Sequence, residues 1–198
     1  MSVKIILIRH GETYLSLKKV YYGRIDTPLT AKGLRQAKDI RKYFSRENVD
    51  KVYSSNLKRA FNFAKIAFDG FIIEKTSELR EINFGVFERL THEQIMKKYR
   101  QAYSRWLKDP FTCVIPQGDS LSDFSNRVRA FFKKIIRENS NKTLAIVTHA
   151  GPIRIILNDI IRPENIWSLK VDLASVSVIE YKKNKADLQF FNDRSYLT

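Results

Sequence analysis

Two of the three histidines, His10 and His149, each close an apolar run and stand just ahead of a glycine. Arg9 directly precedes the first of them. An imidazole can attack or relay a proton, and a neighbouring guanidinium presents a fork of donors to anionic oxygens, so this pairing suits phosphoryl chemistry. Arg59 offers a second guanidinium, in the first turn of a predicted helix where free N–H groups and the helix dipole already favour an anion. Two arginines and two imidazoles around one point would form an oxyanion cage for a phosphoryl group.

Elements far apart in the chain must bring these groups together. Val3 to Ile8 is an apolar run, largely β-branched and broken by one lysine, that stops at the Arg9-His10-Gly11 turn. It predicts a buried strand. Thr143 to Thr148 repeats the design ahead of His149-Ala150-Gly151 and a helix through about Ile160. Parallel strands present their carboxyl ends on one edge, so both histidines can meet there.

Between them the pattern alternates. A polar, Tyr-rich loop from Tyr14 to Thr27 leads to Thr30, a candidate N-cap for a helix with Leu34, Ala37, Ile40 and Phe44 on one face. Lys51 to Ser54 predicts a short strand. Asn56 opens the helix that carries Arg59, with Leu57, Ala60, Ala64 and Phe68 inward. Phe71 to Glu74 is a third candidate strand, and Thr91 to about Lys108 is helical but irregular. Ser120 or Ser122 can cap a long helix with an apolar face of Phe124, Val128, Phe131, Phe132 and Ile135. Two strands, Val176 to Tyr181 and Asp187 to Phe191, finish the chain around the charged turn Lys182 to Lys185. The expected architecture is α/β, a three-layer α/β/α sandwich around a mostly parallel sheet. It forms a single domain over 1–198, with no internal repeat or dividing linker.

Composition narrows the function. A chain of 198 residues buries roughly 70% of its unfolded surface without disulfides or metals. The lone Cys113 cannot form an internal disulfide and sits as a small hydrophobe, which suits a reducing compartment. Nothing ahead of the first strand resembles a signal peptide, and no apolar stretch approaches membrane-spanning length, so the expected location is the cytoplasm. The net charge of +15 attracts anions. Its lysines and arginines are dispersed, however, with pairs at Lys97-Lys98, Lys133-Lys134 and Lys182-Lys183 and no block of five or six. Steering of a small anion is therefore expected, with no specific nucleic-acid partner and no membrane partner; the oligomeric state is left open.

Five ordered segments carry a resemblance. They are Arg9-His10-Gly11-Glu12-Thr13, Gly23 through Asp26-Thr27-Pro28-Leu29-Thr30, Ser54-Ser55-Asn56-Leu57-Lys58-Arg59-Ala60, Leu79-Arg80-Glu81 with Phe84-Gly85, and Thr148-His149-Ala150-Gly151. Together they resemble the histidine phosphatase superfamily and imply a phosphoglycerate mutase-like fold. The resemblance implies that His10 is a nucleophile forming a phosphohistidine, and that Arg9, Arg59 and His149 hold the non-bridging oxygens. Glu81 is implied as general acid and base; Glu78 and Glu88 lie in the same segment, and Glu81 is chosen because it occupies the family's acid position. Ser16 and the backbone N–H of Gly23 are implied phosphate contacts. No metal and no cofactor is implied. His92 lies outside every motif and is expected on the surface near a helix start.

The departures from the family pattern concern the pocket wall. Ser16 replaces a common asparagine, Arg89 a glycine, and Gln117-Gly118-Asp119-Ser120 a Gly-Gly-Glu-Ser. A serine hydroxyl donates but reaches less far, and Arg89 could add an anion contact. The walls are expected from the loop after Tyr14, the segment from Arg89 to Asp119 and the turn near Asp172. The short Arg89–Asp119 segment resembles the compact phosphatases, such as the alpha-ribazole-5'-phosphate phosphatases, more than the mutases, which usually carry an insertion there. The expected activity is a phosphomonoesterase acting on a small phosphorylated metabolite. The alternatives are a cofactor-dependent phosphoglycerate mutase or a basic scaffold on the same fold.

Overall fold

The computed structural model describes residues 2–163, 165–183 and 185–198. In chain order the elements are β1 (Ser2–Arg9), α1 (Tyr14–Leu17), α2 (Ala31–Tyr43), β2 (Lys51–Ser55), α3 (Lys58–Ala67), β3 (Ile73–Thr76), α4 (His92–Lys108), α5 (Leu121–Glu138), β4 (Lys142–Thr148), α6 (Ala150–Ile161), β5 (Val176–Lys182) and β6 (Lys185–Asp193). Single 3-10 turns lie at Gly85–Phe87 and Ile166–Ser168. Asn184, in the turn expected between the last two strands, lies outside the described residues.

The six strands form one sheet in the order β3-β2-β4-β1-β5-β6. The first four run parallel, β5 runs against β1, and β6 returns against β5. Alternation along β1 feeds two cores. Ile5 and Leu7 pack with α4, α5 and α6, through residues such as Ile95, Phe124, Val128 and Ile153. Ile6 and Ile8 pack with α2 and α3, through Ile40, Phe63 and Ala64. A strand covered on both faces reads as a continuous apolar run because neither face meets water. This is the expected three-layer α/β/α sandwich.

Several local expectations shift. The loop after Tyr14 contains the one-turn α1, closed by a capping box between Thr13 and Ser16; four residues are too few to show a period. β3 begins at Ile73 instead of Phe71, because the Phe71 N–H closes the turn after α3 onto Phe68 O and Ile72 points into solvent. Leu34 is exposed on α2, where Gly33, Gln36, Ala37 and Ile40 form the buried stripe. The irregular pattern of α4 is explained by non-helical backbone at Tyr99. Ser120, not Ser122, caps α5 by accepting from the Asp123 N–H. Among the described residues no helix is long and apolar enough to cross a membrane.

Candidate active site

The two histidine-bearing strand ends are neighbours. Arg9 pairs with Thr148 in the β1–β4 register, and the His10 N–H donates to Thr148 O at 3.0 Å. The rings of His10 and His149 meet edge to face with centroids 5.1 Å apart. His10 is 2% exposed and its Nδ1 lies 2.8 Å from Gly11 O. A carbonyl only accepts, so Nδ1 carries the proton and Nε2 keeps its lone pair. His149 is equally buried; its Nδ1 accepts from Arg59 Nε at 3.2 Å, and its Nε2 lies 2.8 Å from Ser55 Oγ. Burial, then the guanidinium of Arg59, then that of Arg9 hold His10 well below the usual imidazole range. Burial and Arg59 do the same to His149. Both rings are therefore neutral near pH 7.

Arg59 is fully buried, which for an arginine requires that nearly every donor be used. Beyond His149, its Nη1 donates to Ile25 O at 2.8 Å and its Nη2 to Gly23 O at 2.6 Å. The Tyr22 ring lies 5.0 Å from its guanidinium carbon, close enough for a cation–π contact. Asp26 caps the start of α3 by accepting the Lys58 N–H at 2.8 Å, and its other oxygen stands 3.9 Å from Arg59. Burial lowers the Arg59 pKa from its ordinary value, although a guanidinium stays charged in proteins.

Arg9 donates from Nη1 to Val171 O at 2.6 Å. Its buried Nε has no partner among the described residues.

Glu81 is drawn in from the segment after β3. Its Oε1 accepts the Ile82 N–H and its Oε2 the Gly151 N–H, each at 3.0 Å. The second contact puts a carboxylate on the first turn of α6, whose N-cap His149 makes no side-chain capping bond. Only glycine allows this approach: a Cβ on residue 151 would lie 2.0 Å from Glu81 Oε1. The segment is fastened from both sides. Thr148 Oγ1 donates to Leu79 O at 2.7 Å, and Arg127 on α5 donates to the carbonyls of Ser77, Glu78 and Arg80.

Two expected phosphate contacts are engaged elsewhere. The Gly23 N–H is donated to Glu88, at 2.9 and 3.0 Å from its two oxygens. Glu88 also accepts from the N–H groups of Arg24 and Phe84, so this acid is spent on backbone. Ser16 uses its hydroxyl inside the α1 capping box, accepting from Thr13 N–H and donating to Thr13 O. It faces a neighbouring cleft that shares Arg9 and Lys19 with the site.

His10, Arg9, Arg59 and Glu81 line one cleft of about 190 Å³. Its further wall comes from Lys19 to Tyr22, in the loop after Tyr14, and from Phe84, Ala150 and Arg154. The segment from Arg89 to Asp119 supplies no lining residue among those described. Arg89 is exposed, in a left-handed backbone conformation with φ 66, and its N–H donates to Tyr21 O. Asp119 accepts from the Asn83 N–H and from Arg24. Asp172 lines the neighbouring cleft. His92 is exposed at the first residue of α4, as expected. Among the described residues no three His, Cys, Asp or Glu side chains converge as metal ligands would.

Sequence reasoning left Arg154 without a role, although it stands three residues beyond Gly151. The signal was its spacing: residues 150, 151 and 154 share a helical face.

The profile of the histidine phosphatase superfamily, branch 1, matches residues 5–194. Phosphoserine phosphatase 1 of Hydrogenobacter thermophilus is 32% identical over 187 residues, spanning 92% of this chain and 89% of its own. The crystal structure of the alpha-ribazole phosphatase from Shigella flexneri superposes with a TM-score of 0.88 at 29% identity, covering 96% of each chain. A phosphoglycerate mutase from Bacillus anthracis shares the fold, with a TM-score of 0.86 at 24% identity over 99% of this chain and 95% of its own. With the family profile spanning nearly its whole length and phosphatases among its relatives, the chain belongs to the histidine phosphatase superfamily and is a phosphatase.

Proposed function

We propose that the protein is a phosphomonoesterase that hydrolyses a small phosphorylated metabolite through a phosphohistidine on His10. The observation that carries this reading is the His10 ring itself. Its Nδ1–H is tied to Gly11 O, and the remaining nitrogen bears a lone pair in a cleft lined by the guanidinium groups of Arg9, Arg59 and Arg154.

In the first step His10 Nε2 attacks phosphorus in line as the ester P–O bond breaks, and Glu81 protonates the leaving oxygen. Arg9 and Arg59 stabilise charge on the non-bridging oxygens, and His149, whose two ring nitrogens are held by Arg59 and Ser55, supports them by fixing the Arg59 guanidinium. In the second step Glu81, now a carboxylate, takes a proton from water as that water attacks phosphorus; the P–N bond breaks and inorganic phosphate leaves. Each transfer needs only groups of this chain, substrate and water. Ser16 and Gly23 serve the cage indirectly, one by shaping the loop after Arg9-His10, the other by lending its carbonyl to Arg59.

The relatives named for phosphoserine and alpha-ribazole support a small phosphorylated substrate. The cytoplasm, where such metabolites reside and a free thiol such as Cys113 stays reduced, is the proposed compartment.

The test is release of inorganic phosphate from p-nitrophenyl phosphate in the presence of a metal chelator. Wild-type protein turns over, and acid-quenched mass spectrometry finds the phosphoryl adduct on the peptide containing His10. Hydrolysis that persists in His10→Ala overturns the assignment.

A further inference from the structure

A chain of hydrogen bonds leads from the cleft wall to the surface. Tyr21 lines the cleft with Glu81 and Phe84. Its hydroxyl lies 2.6 Å from that of Tyr103, and the Tyr103 hydroxyl lies 3.0 Å from Nδ1 of His92. Tyr103 is 1% exposed, whereas His92 stands in solvent at the first residue of α4.

His92 and Tyr103 belong to one helix, yet a straight helix would hold them roughly 16 Å apart, beyond the joint reach of an imidazole and a phenol. Non-helical backbone at Tyr99, with φ -133 and ψ 32, bends α4 between them and lets the two side chains meet. The entrance to α4 is also fastened to the cleft wall through backbone. The Tyr21 N–H donates to Leu90 O at 2.9 Å, and Tyr21 O accepts the Arg89 N–H at 2.7 Å.

A phenol has one hydrogen to give, and Tyr103 has two partners. While His92 is neutral, its Nδ1 is a stronger base than a phenol oxygen, so Tyr103 donates to it and accepts the hydrogen of Tyr21. Tyr21 then keeps only lone pairs for the cleft. When a proton from solvent occupies Nδ1, the imidazolium donates to Tyr103 instead. The buried Tyr103 hydrogen is costly to leave unpaired, so it turns to Tyr21 and releases the Tyr21 O–H. One proton is bound at His92 and two hydroxyl hydrogens rotate; no bond between heavy atoms changes. Burial and the bond to Tyr21 hold the Tyr103 phenol above its ordinary pKa, so it remains neutral throughout.

We infer that His92 is a positioning residue for the phosphoryl cleft: through Tyr103 it sets whether Tyr21 offers a lone pair or a hydrogen to the anionic substrate. An imidazole changes charge between about pH 5 and pH 8, so the substrate is held more tightly at the acid end of that range. Glu93 follows His92 in the first turn of α4 and Arg89 stands three residues before it. Among the described residues, the side-chain partner of His92 is Tyr103.

The inference rests on the reading of this cleft as the phosphoryl site, and two readouts separate them. One is KM and kcat for p-nitrophenyl phosphate; the other is the calorimetric Kd of p-nitrophenyl sulfate, an analogue of fixed charge. Both are measured from about pH 5.5 to about pH 8 in wild type, His92→Gln and Tyr103→Phe. Other ionisations of the cleft and ligand are common to the three proteins, so the comparison isolates His92. Relative to the variants, wild type should tighten about tenfold in KM and Kd towards acid pH, the size of a hydrogen bond to a charged group, with kcat changed less. Tyr103→Phe decides the matter, because it keeps the charge of His92 and removes the relay. A wild-type response that survives in Tyr103→Phe or in His92→Gln overturns the inference, as does hydrolysis with no difference among the three proteins. Relay-dependent binding of the sulfate without hydrolysis of the phosphate removes the phosphomonoesterase reading alone. Should Tyr103→Phe fail to fold, Tyr21→Phe cuts the same chain at the cleft and carries the same expectation.

Discussion

The Nε–H of Arg59 points at Nδ1 of His149 across 3.2 Å, which makes that nitrogen the acceptor and leaves Nε2 to donate to Ser55 Oγ. A buried arginine thus selects the tautomer of a buried histidine. Lysine cannot reproduce this, because an ammonium on a flexible stem lacks the fork that also reaches Gly23 O and Ile25 O. Arg59→Lys is expected to lower kcat/KM on p-nitrophenyl phosphate by about 100-fold or more. Denaturant titration should show about 3 kcal/mol of lost stability, from acceptors left without a donor in a dry site.

The same burial sets a pH dependence of stability. His10 and His149 have folded pKa values below those of the unfolded chain, so between the two the unfolded chain binds more protons. Stability therefore rises with pH across that window and is lost as pH falls below about 6.5. With both rings contributing, the slope approaches about 2.7 kcal/mol per pH unit. Chemical denaturation from about pH 7.5 to about pH 5 measures it, and His10→Gln should remove about half of the slope.

Gly151 separates helix stability from catalysis. Alanine favours a helix over glycine by about 1 kcal/mol, so Gly151→Ala should leave Tm unchanged or raised. Its methyl group takes the space of Glu81 Oε1 and swings the carboxylate off the α6 terminus. We expect kcat to fall about 100-fold, within the range for losing acid–base assistance. An active Gly151→Ala variant would show that Glu81 works from another position.

Arg127 acts on Glu81 at one remove, by gathering the carbonyls of Ser77, Glu78 and Arg80. Arg127→Met should release this segment. The expected signature is kcat reduced about tenfold with KM changed less, together with faster hydrogen exchange at Leu79 to Ile82. Equal exchange rates in wild type and variant would place the clamp elsewhere.

Much of this arrangement is legible in the chain because it is local. An apolar run ending in a histidine with a glycine one or two residues on specifies both a buried strand and a side chain at its carboxyl end, and the chain has this at His10 and at His149. The acid at Glu81 is legible only through its resemblance to a family pattern, since Glu78 and Glu88 have the same chemistry and lie in the same segment. What separates them is contact across the fold: Glu81 meets a helix start 70 positions later in the chain, and Glu88 meets the backbone of Gly23 and Arg24, 65 and 64 positions earlier. The Gly23 N–H could not be known to be engaged, because its partner is set by tertiary packing. Arg89 is the converse case: the sequence marks an unusual residue at a glycine position, and the backbone there does adopt a left-handed conformation. Its side chain leaves the cleft, which no spacing rule reveals.

The position of β1 has a consequence for how the molecule comes into being. Among the described residues its sheet neighbours are β4 and β5, both made after residue 141, so the first strand synthesised is among the last to find partners. A nascent chain that already holds Arg9, His10, Arg59 and Glu81 has β2 and β3 to pair with each other but no partner for β1. Closing such a long loop carries an entropic cost that local contacts do not offset, which slows the final step of folding. Until β4 and β5 are made, β1 has no strand to pair with, so the strand end that carries Arg9 and His10 cannot be held beside His149.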